Sequence, residues 1–289
     1  MNKYSINNET LQATFNAKGA ELVSLIYKPT NFELIWQADK NVWPRHAPVL
    51  FPIVGKLKND FIEINNQTYQ ISQHGFARDM DFELQEIYTD KISFILETTP
   101  ATLKKWPFEF KLIITYSLLY NSIKTTYTVI NADNEKMPHS IGGHPGFNLP
   151  VNNLKEFEIL LSSNNLDVYS FLLNNGLVTD DKLLIAPKGK ITLHNEVFKN
   201  DALVFKNINF DSLELKHTNS NFAIEQTFKG FNYYGIWNKY PSQQFICLEP
   251  WAGITDNIKS SNRIMEKEGL NWLEPGESKM FEFTTAFKF

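Results

Sequence analysis

Residues 110–129 read FKLIITYSLLYNSIKTTYTV. Phe110, Leu112, Ile114, Tyr116 and Leu118 recur at every second position, and Ile123, Thr125, Tyr127 and Val129 resume the alternation beyond Asn121-Ser122. A period of two puts such residues on one face of an extended chain, so the stretch predicts a long β-hairpin with one face buried. Outward from it the signal repeats. Residues 61–71 predict a hairpin around Asn65-Asn66, and residues 213–228 predict another around Asn219-Ser220-Asn221, since Asn tolerates the left-handed backbone of tight turns. Phe281, Phe283, Thr285, Phe287 and Phe289 alternate at the C-terminus. Helical periodicity is weak, and Ala101–Lys105, before Trp106-Pro107, predicts a single turn.

The chain is therefore mainly β. Strand signals run from residue 3 to residue 289 with no Gly/Ser/Pro linker, charge block or blade-type repeat, which predicts one domain over 1–289 and a large antiparallel β-sandwich. With 43% hydrophobic residues, and 23 Phe, 11 Tyr and 6 Trp among 289, the chain can bury a sizeable core, which excludes disorder. The net charge of −4 offers no basic stripe for nucleic acid or an anionic membrane, so small molecules or proteins are the expected partners. The single cysteine, Cys247, excludes an internal disulfide and a four-thiolate zinc site and fits a reducing compartment. The N-terminal residues lack a continuous apolar run, and Leu112–Ile123 falls far short of the roughly 20 residues of a membrane helix, so a cytoplasmic location is expected.

Three segments hold candidate chemistry. His74 lies in QHGFARD and His144 in IGGHPGFN, where three glycines and a proline permit close backbone approach and present a side chain at a strand end. A turn histidine bonded to a carbonyl is an equal alternative. Glu249, in ICLEPWAG, follows an apolar strand and precedes a Pro-Trp turn, where partial desolvation raises a carboxyl pKa toward a useful base; a solvated glutamate is the alternative. Arg45, Lys56 and Arg78 sit near these segments and suit a hydroxyl-rich or phosphorylated ligand, against the alternative of plain surface charge. A divalent ion between His74 and His144 competes with a role in proton transfer.

Taken together, APVLFPIVGKL (47–57), QHGFARD (73–79), GGHPGFN (142–148), DALVF (201–205) and CLEPWAGITD (247–256) resemble the aldose 1-epimerase (galactose mutarotase) superfamily, most closely its LacX-like branch. The resemblance covers nearly the whole chain. It implies the supersandwich fold with a sugar cleft on one sheet, no metal and no cofactor, and interconversion of the α and β anomers of a hexose. Glu249 matches the family's general base, His144 its general acid and His74 a second histidine near the ring oxygen. With an imidazole pKa near 6.5, His144 would give and recover a proton at neutral pH. Asp201 matches the acid that accepts sugar hydroxyls, and Lys56 falls where a substrate-binding Arg is common. Arg45 and Arg78 resemble the phosphate-holding cations of hexose-6-phosphate 1-epimerases in the same superfamily, so a sugar phosphate is the alternative substrate. A non-catalytic carbohydrate-binding protein is a second alternative; a glycoside hydrolase, which most often needs two carboxylates, ranks below both. The expected protein is an isomerase, monomeric or homodimeric, acting on a small-molecule sugar.

Overall fold

The structure is a computed structural model, and it describes residues 2–162 and 166–289. Strands Phe110–Leu119 and Ser122–Asn131 pair antiparallel from Phe110 opposite Asn131 to Leu119 opposite Ser122. The turn is therefore Tyr120-Asn121, one residue earlier than the sequence suggested, and Tyr120 rather than an asparagine takes the left-handed backbone at φ 51°. Pairing Leu119 with Ser122 keeps the alternation in phase across both strands, and register outweighs residue preference at the turn. At the second hairpin, Phe61–Ile64 and Gln67–Gln70 join through Asn65 and Asn66 at φ 50° and 63°, as read from sequence. The third, Ser212–His217 with Ala223–Lys229, also forms. The expected helical turn is Pro100–Leu103, begun by a Thr99 capping box.

These strands build two large sheets. One has nine strands, ordered Lys190–Thr192, Phe157–Leu161, Ser212–His217, Ala223–Lys229, Ser278–Lys288, Ser122–Asn131, Phe110–Leu119, Lys91–Glu97 and Glu83–Ile87. The other runs Leu177–Ala186, Val168–Asn174, Leu203–Lys206, Tyr233–Trp237, Phe245–Ala252, Ile141–Gly143 and Val49–Leu50, with Gly146–Asn148 also paired to Phe245–Ala252. Alternate residues of the first sheet, such as Leu112, Ile114, Phe281 and Phe287, join Phe147, Tyr234, Ile246 and Leu248 of the second in one core. The architecture is the predicted mainly β antiparallel sandwich. A four-stranded sheet over residues 3–33 packs Ile6, Leu11, Ala13 and Phe15 into the same core. No helix among the described residues is long and apolar enough to cross a membrane.

Candidate active site

Strand Phe245–Ala252 is the axis of the site. All eight of its residues are buried, because neighbouring strands flank it and both of its faces are covered. Leu248 faces the core between the sheets, while Glu249 faces the opposite side, into a cleft of about 590 Å³. His74, His144, Asp201, Arg45 and Arg78 line the same cleft.

Each side chain is placed by local backbone. Ile141–Gly143 and Gly146–Asn148 each pair with Phe245–Ala252, His144-Pro145 interrupts that pairing between them, and the His144 N–H donates to the Pro48 carbonyl at 3.1 Å. The glycines serve approach rather than turning. A Cβ at Gly146 would lie 2.8 Å from the Trp43 ring, and that ring stacks on the His144 imidazole with centroids 4.9 Å apart. His74 stands at φ 67°, a left-handed conformation that an L residue adopts at some cost. Its Nδ1 accepts a hydrogen bond from the Gly55 N–H at 3.1 Å, so in the neutral ring the proton sits on Nε2. The two imidazoles meet edge to face, 5.6 Å between centroids.

His144 Nε2 lies 3.3 Å from Glu249 Oε2, not aligned for a hydrogen bond, and that oxygen has no other partner among the described residues. Glu249 is 1% exposed, more deeply buried than its turn position implied. Burial holds its carboxyl well above the usual carboxylate range, and the nearby Asp201 adds to the rise. The buried Trp251 indole N–H, which has no aligned acceptor, opposes it. Burial also pushes His144 down to about 3, with the Arg78 and Arg45 charges contributing. It lowers His74 well below its ordinary value, helped by His144, Arg78 and Arg45. The imidazoles are thus not the free titrants near 6.5 that sequence chemistry suggested, because desolvation and two cations oppose a positive charge on them.

Arg45 and Arg78 share one counter-ion. Arg45 Nη2 reaches Asp79 Oδ1 at 3.1 Å, and Arg78 Nε lies 3.9 Å from Asp79 Oδ2. Arg78 also donates to the Gln73 carbonyl at 2.6 Å, and burial brings its guanidinium down to about 10. Asp201, at the opposite wall, accepts the Ala202 N–H at 2.8 Å. Lys56 differs from the rest. Its N–H donates to Thr255 Oγ1, its ammonium lies 3.5 Å from the Asn175 carbonyl, and its side chain runs past Gly176 rather than lining the cleft, although Gly55 lines it.

Sequence reasoning did not assign Trp43, Trp237, Trp251, Lys199, Lys239, Tyr240 and Thr255 to the cleft, yet all line it. Trp43 and Trp251 fall inside segments singled out for Arg45 and Glu249, so proximity in sequence was a usable signal; Trp237 and the two lysines carry none. Of the six tryptophans, these three border the cleft. Trp36 stacks on Phe245 beneath it, Trp106 is core, and Trp272 packs against the core from outside. The Trp251 indole lies across Gly235, where a Cβ would come within 2.4 Å of the ring.

The family model described as Aldose 1-epimerase matches residues 2–262. Protein LacX of Lactococcus lactis subsp. lactis is 30% identical over 93% of this chain and 94% of its own. A galactose mutarotase related enzyme from Lactobacillus acidophilus superposes with a TM-score of 0.94 at 33% identity, covering 99% of this chain and 97% of its own. A protein described as galactose 1-epimerase from Lactobacillus acidophilus NCFM, at 12% identity and a TM-score of 0.72 over 98% of this chain and 93% of its own, shares the fold. On these grounds the chain belongs to the aldose 1-epimerase family.

Proposed function

We propose that the cleft interconverts the α and β anomers of a hexose by acid–base ring opening and closure. The observation that carries this reading is a buried carboxylate and a buried imidazole 3.3 Å apart on a cleft floor, with a second imidazole beside them. Glu249 takes the proton of the C1 hydroxyl as the bond from C1 to the ring oxygen breaks. The bond's electron pair passes to that oxygen, which His144 protonates, leaving an open-chain aldehyde. Rotation about the C1–C2 bond exposes the other face of the carbonyl. The C5 hydroxyl then attacks it, returning its proton to His144, while Glu249 returns its own to O1.

The shifts toward neutrality bear on how the pair holds its protons. Burial opposes a lone charge on either group, but a carboxylate beside an imidazolium is neutral as a unit, so the pair keeps one proton between them. A sugar bridging the two groups lets that proton cross through the substrate without changing the net charge of the buried site. His74, with its Nε2–H fixed by the Gly55 contact, is left to donate near the ring oxygen. Trp43 and Trp237 offer apolar ring faces of the kind on which sugar C–H faces pack, and Asp201 offers an acceptor for hydroxyls.

A sugar phosphate is the second reading, favoured by Arg45 and Arg78 facing the cleft with a single carboxylate between them. Two guanidiniums sharing one anion keep donors free for another. A binding protein without catalysis would have no use for a desolvated carboxylate set against an imidazole. Anomer exchange followed by NMR or polarimetry over common aldoses and their 6-phosphates tests the proposal. Acceleration over buffer is expected, faster 6-phosphates would select the second reading, and tight binding without exchange would favour the third.

A further inference from the structure

Beneath the cleft floor, two residues before Glu249 and on the same side of its strand, lies Cys247. It is the only cysteine in the chain and is fully buried. One ligand atom each from His144, Cys247 and Glu249 lies within 4.8 Å of the others. A tetrahedral zinc ion with bonds of about 2.0–2.3 Å holds its ligand atoms roughly 3.3–3.6 Å apart. The imidazole and the carboxylate already stand at 3.3 Å, and with the sulfur within 4.8 Å of both, its approach closes the set.

One further observation and the charge balance point at a cation. Glu249 Oε2 is buried, has no hydrogen-bond partner among the described residues and faces His144, so its acceptor capacity is open. The charges also balance: a thiolate and a carboxylate neutralise a dication, and the desolvation that penalises each anion alone is relieved when all three assemble. Glu249 and His144 line the cleft, from which a fourth ligand would come.

We propose that His144, Cys247 and Glu249 form a site for a thiophilic divalent cation such as zinc, and that its occupancy blocks the cleft. A cation there holds the carboxylate and the imidazole that the proposed reaction uses, so binding of metal and binding of sugar exclude each other. The blocking role rests on the proposed epimerase reading; the site itself rests on the geometry alone. On binding, the thiol proton and any proton on the carboxyl leave to solvent, the sulfur and carboxylate electron pairs go to the cation, and no electron is transferred.

Cobalt(II) provides a test that needs no activity. Titrated into the purified protein, it should give a near-ultraviolet sulfur-to-cobalt charge-transfer band saturating at one equivalent and displaced by zinc. With one cysteine in the chain, that band can arise only from Cys247. Cys247→Ser should abolish it, and His144→Gln or Glu249→Gln should weaken cobalt binding by more than the roughly 10–100-fold that outer-shell partners cost. Galactose or glucose 6-phosphate at saturating concentration should suppress the band. No band in the folded wild-type protein, or a band unchanged by both His144→Gln and Glu249→Gln, overturns the site. A band that sugars leave unchanged overturns the blocking role. If the band forms and the protein shows no anomer exchange, the epimerase reading fails and the metal site stands.

Discussion

Strands Ser122–Asn131 and Phe245–Ala252 lie in opposite sheets and show how burial decides what a sequence displays. The first buries Ile123, Thr125, Tyr127 and Val129 while the residues between them are partly wet, so its period of two is written in the residue types. The second is buried at every position. Its residues, Phe-Ile-Cys-Leu-Glu-Pro-Trp-Ala, show no alternation, and among them sits a carboxylate that burial holds well above its usual range. One strand stabilises the fold by removing apolar surface from water; the other spends part of that stability on a desolvated acid.

The largest expected effect separates the two roles. Glu249→Gln should lower anomer exchange by at least the roughly 10²–10⁴-fold that a general base supplies, while thermal unfolding shows Tm unchanged or raised, since an amide replaces a carboxyl that burial disfavours when charged. Phe281→Ala should do the reverse. The ring is fully buried against Phe231 and His139 in the core, so denaturant unfolding should show a loss of about 3–5 kcal/mol, with kcat/KM kept at temperatures where the variant is folded.

Gly235→Ala should affect both properties, because the added methyl meets the Trp251 ring. Overpacking of this kind costs about 1–3 kcal/mol, and displacement of the indole beside Glu249 should reduce kcat more than it raises KM.

The smallest effect concerns the two buried histidines that share a low pKa and differ in place. His139 is fully buried in the core, with both ring nitrogens lacking partners among the described residues, and burial, aided by the Lys279 charge, lowers it to about 3. A folded-state pKa below the unfolded 6.5 means that the unfolded chain takes up the proton first, so stability falls as pH drops from about 6.5 toward 3. His139→Leu should flatten that acid slope in Tm measured against pH and leave exchange at neutral pH unchanged. A slope as steep as the wild type's would assign the acid loss to other groups.

The same contrast explains what was legible in the chain. The hairpin at 110–131, the Phe281–Phe287 alternation and the asparagine turn at 65–66 were readable because a half-wet strand records its burial in its residues. The Glu249, His144 and His74 segments stood out by unusual neighbours, Arg45 and Arg78 as cations beside them, and Asp201 was placed by resemblance; the fold brings all six to one cleft. Lys56 was selected as a third cation of that kind and by resemblance, yet its backbone is tied to Thr255 and its side chain leaves the cleft, a direction that sequence does not encode. The Trp237 wall and Lys199 and Lys239 arrive from strands and loops distant in sequence, so tertiary packing alone reveals them. The low imidazole pKa values also escaped reading, since they follow from depth and from guanidiniums more than 60 positions away from His144 in the chain.

The central claim is tested most directly by two-dimensional exchange NMR on an equilibrium mixture of anomers, recorded with wild-type protein and with Glu249→Gln at equal concentration. The account predicts exchange cross-peaks between α and β C1 protons well above the buffer rate for the wild type and near the buffer rate for the variant. Exchange that persists undiminished in a folded Glu249→Gln protein, or wild-type protein that leaves every tested aldose and its 6-phosphate at the buffer rate, would contradict it.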